Sequence, residues 1–259
     1  MPNSSPSSFV SVLIPVYNRE LYIEQCVESA LAQTWGNLEV VIVDNFSTDR
    51  TWEICQSLAL RDGRVRIFRN DRNIGPAANW KRCAEEARGE LAKLLFSDDM
   101  IKPTFLQETV PFLDHPAVGL VVTGVDIDGQ TEYAGHCRSG RISRWTYLRT
   151  MMFNGRMPLS PGATLMRTKD LRRNLFAGFG RHGIGPDLLL LLLTAVSHAS
   201  IAYIAEPLAI FRDHPGSISR VRKPQLARGY AYARFWFWLI SLARVFGSAW
   251  PERAFGARR

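Results

Sequence analysis

The feature that most constrains this chain is an alternation in its first half. Short apolar, β-branched runs end abruptly in polar clusters, and helix-patterned segments fill the gaps between them. Phe9–Ile14 runs into Pro15, Leu38–Val43 ends at Asp44, and Leu91–Phe96 ends at Ser97-Asp98-Asp99. Runs that are apolar at nearly every position suit strands buried on both faces. Asn18 is placed to cap a helix carrying Ile23, Val27, Ala30, Leu31 and Thr34 on one side. Ser47-Thr48-Asp49 opens a second helix, which reaches Leu60 and stops at Asp62-Gly63. A strand follows over Arg64–Phe68, then a helix over Pro76–Arg88 with Ala77, Trp80, Ala84 and Ala87 at helical spacing. Strand–helix alternation of this kind requires a parallel sheet with right-handed crossovers. Ligands bind such sheets beyond the carboxyl ends of the strands. The clusters Pro15–Arg19, Asp44–Asp49 and Ser97–Asp99 all fall at such ends.

The second half is less regular. The pattern predicts a strand over Val118–Val125, a helix over Ser143–Phe153 and a strand over Ala163–Arg167. An apolar helix over Asp187–His198 contains six consecutive leucines. Two short strands follow, Ile201–Ile204 and Leu208–Phe211, and then Arg212-Asp213-His214-Pro215-Gly216-Ser217. Four cysteines without CxxC spacing exclude a disulfide-dense scaffold and a zinc ribbon. The opening MPNSSPSSFV lacks the basic and apolar regions of a signal peptide.

The formal charge is +8, unevenly spread. Residues 1–137 are net −7, 138–181 net +9, 182–219 net −2 and 220–259 net +8. The basic stretch, with Arg138, Arg141, Arg144, Arg149, Arg156 and Arg167, reads either as a contact for an acidic substrate or an anionic membrane, or as a solvated surface balancing the acidic first half.

Several positions suggest chemistry, each beside a plainer reading. Asp98-Asp99 at a strand tip would repel unless a cation or ligand offsets them, and hard cations such as Mg²⁺ take one or two carboxylates plus phosphate oxygens. The plainer reading is a solvated turn. Asp44 suits a ribose or base N–H, or simply a helix-entry turn. Asn73–Asn79 opens a helix with small residues that allow close approach, but neither a GxGxxG nor a P-loop is present. Asp187, after a glycine loop and beside the leucines, is a general-base position or an N-cap. His214 is a ligand or a structural histidine.

The order of these segments is more specific than any one of them. VSVLIPVYNRE, VVIVDNFSTD, NIGPAAN, LLFSDDM, GIGPDLLLLLL and AIFRDHPGSIS together resemble the family 2 glycosyltransferases, over residues 9 to 219. The resemblance implies an α/β GT-A fold: a Rossmann-like, mixed but mainly parallel sheet flanked by helices. It implies transfer of a sugar, with inversion, from a nucleotide diphosphate donor, UDP-linked, to a glycan or lipid-linked saccharide in polysaccharide or cell-envelope synthesis. Pro15, Tyr17 and Arg19 would line the nucleobase end, Asp44 would contact base or ribose, and Asn79 would order the adjoining loop. Asp98 and Asp99 would touch the ribose and a Mg²⁺ or Mn²⁺ ion, with His214 a further candidate ligand. Arg212 and Ser217 would close over the diphosphate, and Asp187 would be the base. This chain departs from the family pattern where Asn45 follows Asp44, where Phe96 replaces the first acid of DxDD, and where Pro186 precedes Asp187.

These expectations divide the chain into a GT-A domain at 1–219, with a donor half over 9–117 and an acceptor half over 118–219, and a basic aromatic helical extension at 220–259. In the extension Arg234, Ser241, Arg244 and Ser248 share a narrow stripe, and aromatic and aliphatic residues fill the other faces. That suits peripheral contact through 226–250 with the inner face of the cell membrane, packing on the domain, or a homodimer contact; the charges leave too short a run to span a bilayer. A cytoplasmic location follows, and no nucleic-acid-binding module is present. The rival readings are transfer to a polyprenyl phosphate and a non-catalytic nucleotide-sugar-binding scaffold.

Overall fold

The computed structural model describes residues 8–127, 129–132, 139–154, 158–175, 185–214 and 223–245. Four parallel strands form the first half of the sheet: β1 (Val10–Val16), β2 (Leu38–Asp44), β3 (Val65–Arg69) and β4 (Leu91–Leu94). Helices α1 (Ile23–Leu31), α2 (Thr51–Arg61) and α3 (Pro76–Glu86) connect them. The rest comprises β5 (Met100–Ile101), α4 (Phe105–Leu113), β6 (Val118–Ile127), β7 (Gln130–Glu132), β8 (Gly140–Ser143) and α5 (Arg144–Arg149), then β9 (Thr164–Arg167), α6 (Thr168–Asn174), α7 (Pro186–Val196), β10 (Ser200–Phe211) and α8 (Lys223–Val245).

The ten strands among the described residues belong to one sheet, whose main path is β3-β2-β1-β4-β9-β6-β10-β5. Strand β1 pairs in parallel with β2 on one side and β4 on the other, so the winding reverses at β1. That is the switch point where such sheets open a crevice. The antiparallel β9 joins β4 to β6, which pairs in parallel with β10. The sheet is therefore mixed but mainly parallel in its first half.

Alternation along the strands feeds two cores. Val10, Val12, Ile14 and Val16 pack with residues of α1, α2 and α4 on one face. Leu13, Val41 and Val43 pack with α3, α6 and α7 on the other, together with Ala233, Phe237 and Ile240 of α8. The six leucines of α7 are all buried. A polar exception sits at the start of the strands: Ser11 donates to the Glu39 carboxylate, which Arg66 also meets at 2.8 Å. These bonds hold the Glu39 carboxyl below its usual range although burial opposes them.

Three expectations change. Asn18 has a positive φ of 51° and does not cap α1, whose first N–H groups bond to the Arg19 carbonyl instead. The two short strands near the end are one strand, β10, with register shifts that absorb Pro207. Asp187 is inside the first turn of α7, after a Gly185 held at φ 102°, rather than the cap itself.

Candidate functional site

The tips of β1, β2 and β4 lie side by side because their strands are neighbours in register. The first two tips are tied by side chains. Ser47 Oγ accepts from the Asn18 N–H at 2.9 Å, Asn18 Oδ1 accepts from Thr48 N–H at 2.9 Å, and Thr51 Oγ1 accepts from Arg19 N–H at 2.8 Å. Asn18 and Phe46 both take positive φ, which turns the two loops sharply. Tyr17 and Phe46 are left exposed at 41% and 44%, two aromatic surfaces on one rim. Pro15, by contrast, is buried within β1 opposite Val43.

Asp44 is fully buried at the end of β2. Its carboxylate accepts from the Ser47 N–H and hydroxyl and meets Arg69 Nε at 3.1 Å. Asn79 is buried beside it: its amide donates to the Val43 carbonyl at 3.0 Å and its oxygen accepts from Asn70 at 2.9 Å. Asn70 also donates to Asn45, and the Asn45 oxygen accepts from the Ile74 N–H at 3.0 Å. One network therefore fixes the β2 tip, the loop over 71–75 and the start of α3. It includes Asn45, one of the positions where the sequence departs from the pattern of the family it resembles.

A second group forms at the β4 tip. Asp98 Oδ2 meets Arg19 Nε at 3.2 Å and His214 Nε2 at 3.0 Å. The Arg212 guanidinium donates to the Asp98 carbonyl and to Gln25 Oε1 at 2.6 Å, and the Arg212 N–H reaches Asp99 Oδ1 at 3.2 Å. Tyr22 stacks on His214 at 4.6 Å between centroids and lies under the Arg212 guanidinium at 5.0 Å. The topology explains the meeting. Strand β5 follows Asp98-Asp99 directly and pairs antiparallel with the end of β10, so the residues after β10 arrive beside the acidic pair.

Burial, and then the Asp98 charge, push the Asp99 carboxyl far above the usual carboxylate range, against the opposing pull of Arg212 and Lys93. A cation would relieve that strain, and hard oxygen donors suit Mg²⁺ or Mn²⁺. Among the described residues no three His, Cys, Asp or Glu side chains form a metal-holding group. One or two carboxylates are nevertheless what Mg²⁺ takes when phosphates and waters complete its shell. The acidic pair fits such an ion.

A third group surrounds Asp187. The Gly185 N–H donates to Oδ1 at 3.0 Å and the Tyr230 hydroxyl of α8 donates to Oδ2 at 3.3 Å. Burial raises the carboxyl to about 6, and these hydrogen bonds partly offset it. Ser217, Arg138 and Arg156 lie outside the described residues. Of the other basic-stretch arginines, Arg167 is spent on the carbonyls of Leu113, His115 and Val118, and Arg144 on that of Val196. The sequence reading missed Tyr22, Gln25, Asn70, Lys93 and Tyr230. The β2–β3 pairing places Asn70 and the β1–β4 pairing places Lys93, while Tyr22 and Gln25 gain their partners through the pairing of β5 with β10, and Tyr230 through the docking of α8.

The glycosyl transferase family 2 model matches residues 11–175. Glycosyltransferase GlyG of Streptococcus pneumoniae is 36% identical over 101 residues, 39% of this chain and 34% of that protein. TuaG of Bacillus subtilis, named for teichuronic acid biosynthesis, is 34% identical over 130 residues, 50% of this chain and 51% of that protein. The chain thus spans about half or less of these relatives' length. Among solved structures, S. aureus TarS 1-349 in complex with UDP-GlcNAc superposes with a TM-score of 0.69 at 22% identity, covering 82% of this chain and 60% of that one. The mannosyltransferase PcManGT from Pyrobaculum calidifontis, in complex with GDP-Man and Mn²⁺, gives 0.61 at 21%, covering 87% and 64%.

Proposed function

The chain belongs to glycosyl transferase family 2, and from that premise we propose that it moves a sugar from a UDP-linked donor to an acceptor hydroxyl with inversion. The observation that carries this reading is the convergence of Arg19, Arg212 and His214 on Asp98-Asp99 at the switch point of the sheet. Negative charge develops on a nucleoside diphosphate leaving group, and a preorganised cluster of two guanidinium groups and an imidazole beside a metal-competent acidic pair is suited to stabilise it. Asp98 and Asp99 would hold Mg²⁺ or Mn²⁺, with His214 adjacent, and the ion would screen the diphosphate. Tyr17 and Arg19 flank the nucleobase end, and Pro15 acts only by shaping β1. Asp44 and Asn79 act by fixing the loops around the nucleotide. Ser217, outside the described residues, is proposed to act on the diphosphate. Asp187, half-buried and with its carboxyl raised, takes the proton of the acceptor hydroxyl.

The acceptor is proposed to be a glycan or lipid-linked saccharide of the cell envelope, a reading supported by the likeness to TuaG. A membrane-surface location has one specific observation in its favour. Phe235, Trp238 and Leu242 recur on the outer side of α8, each more than half exposed, in the part of the sequence that is net +8. An aromatic face in a basic segment suits an anionic interface. No helix of the described residues is long and apolar enough to cross a membrane.

Thermal unfolding with a panel of UDP- and GDP-sugars, with and without Mn²⁺, tests the donor reading, because a ligand held only by the folded state raises the midpoint. UDP-sugars should raise it, and Asp99→Asn should remove the part that depends on Mn²⁺. A flat response to every nucleotide would remove the proposal; binding without turnover across acceptors would leave a scaffold.

A further inference from the structure

The reading above uses Asp187 but gives no task to the side chain that reaches it from the far end of the chain. Tyr230 lies 43 residues on, on α8, and its hydroxyl donates to Asp187 Oδ2 at 3.3 Å. The other oxygen, Oδ1, is held by the Gly185 N–H at 3.0 Å. The two carboxylate oxygens are thus held from two different elements, by the α8 phenol on one and by the Gly185 N–H of its own turn on the other. A carboxylate on a two-torsion side chain otherwise rotates between orientations, and a base is effective only where its lone pair meets the proton it takes. The placement of Tyr230 is firm. Ala233, Phe237 and Ile240, about one, two and three turns further along α8, are buried in the core beside the leucines of α7, and Arg234 donates to the Met151 carbonyl at 3.2 Å.

We propose that Tyr230 is a positioning residue for the Asp187 carboxylate, which makes the C-terminal helix a working part of the acceptor half rather than an appendage. The proposal rests on the reading of Asp187 as the base. The groups known to face that carboxylate are the Tyr230 phenol from α8 and the backbone N–H groups of Gly185, Asp187 and Leu188 from its own turn. All four favour the ionised form, so loss of the phenol leaves burial less opposed.

The test uses the full chain with Mn²⁺ and whichever of UDP-GlcNAc, UDP-Glc, UDP-Gal or GDP-Man it turns over fastest, comparing wild type, Tyr230→Phe and Asp187→Asn. Tyr230→Phe should lower kcat tenfold or more, leave the donor KM within twofold and the unfolding midpoint unchanged, and move the acidic limb of the rate profile to higher pH. A carboxyl ¹³C titration of Asp187, assigned through Asp187→Asn, reads the same upward move in the free protein and needs no turnover. If Asp187→Asn abolishes activity while Tyr230→Phe leaves kcat and the titration unmoved, the role of Tyr230 is refuted and the base stands. If Asp187→Asn is as active as wild type, the base reading fails and takes the positioning role with it.

Discussion

Lys93 occupies the middle of β4 with its side chain fully buried. Its amine donates to the carbonyls of Gly162 and Leu94 and sits 4.6 Å from the centre of the Phe105 ring. Burial pulls it down from 10.5 to about 7, against the opposing charge of Asp99. The folded protein therefore holds this proton less well than the unfolded chain. Unfolding takes up a proton between pH 7 and about 10.5, so this residue makes stability rise with pH across that window. Between pH 7 and 9 the difference integrates to about 2 kcal/mol. Lys93→Met keeps the length and removes the titration. It strands the two carbonyls, which lowers stability by roughly 1–3 kcal/mol at high pH, where the amine is neutral in both states. Near pH 7 that loss is offset by removal of the buried ammonium. Urea unfolding of both proteins at pH 7, 8 and 9 measures this directly. Stability of the wild type relative to the variant should climb by about 2 kcal/mol over the series. Asp99 pushes in the same direction, because without Lys93 its carboxyl rises further. Parallel curves for the two proteins would refute the reasoning.

Two other outcomes follow from the same structure. With the Asp187 carboxyl raised to about 6, kcat/KM should fall tenfold per pH unit below that value, and Asp187→Asn should lose about 10²–10⁴ of the rate; pH-rate profiles check both. Gly89→Ala places a Cβ 2.6 Å from the Ser11 nitrogen and 2.7 Å from the Phe9 carbonyl oxygen, both backbone, so β1 and β4 must part. It should lower stability by about 3 kcal/mol in urea unfolding, while Gly63→Ala, with nothing near its Cβ, should not be destabilised by contact.

Strands β1, β2 and β4 were legible because burial on both faces leaves nearly continuous apolar runs, but the ends were not: β1 continues through Pro15 to Val16, and β4 stops at Leu94, two residues before its run does. The acidic pair and the two other polar clusters were legible for the same reason. Tail orientation was not. Arg234 and Ser241 looked like the wet side of an amphipathic helix, yet Arg234 turns to the Met151 carbonyl, the Ser241 hydroxyl is buried with no hydrogen-bond partner among the described residues, and Phe235 and Trp238 are the ones facing out. A helix this rich in aromatics is apolar nearly all round, so periodicity cannot say which side docks. The sequence reading took Ile201–Ile204 and Leu208–Phe211 as two strands; Pro207, which cannot donate to the ladder, lies between them, and a register shift in one continuous strand accommodates it. Tyr22 and Gln25 gave no signal, since their role depends on a residue almost the whole domain away.

That separation has a consequence for how the site comes into being. Arg212 is bonded to Gln25 across 187 residues and to Asp98 across 114. The acidic pair and the first loop are synthesised early, but the clamp over them arrives with the last strand, beyond the stretch that matches the family model. Contacts of such sequence distance form late, because the chain must close a long loop before it gains from them. A nascent chain that has emerged only through α4 carries the acidic pair with Arg19 but without the Arg212 guanidinium and the His214 imidazole. Assembly of this cluster is thereby a report that β10 has docked, and a truncated or misfolded copy lacks the Arg212 and His214 that close over the acidic pair.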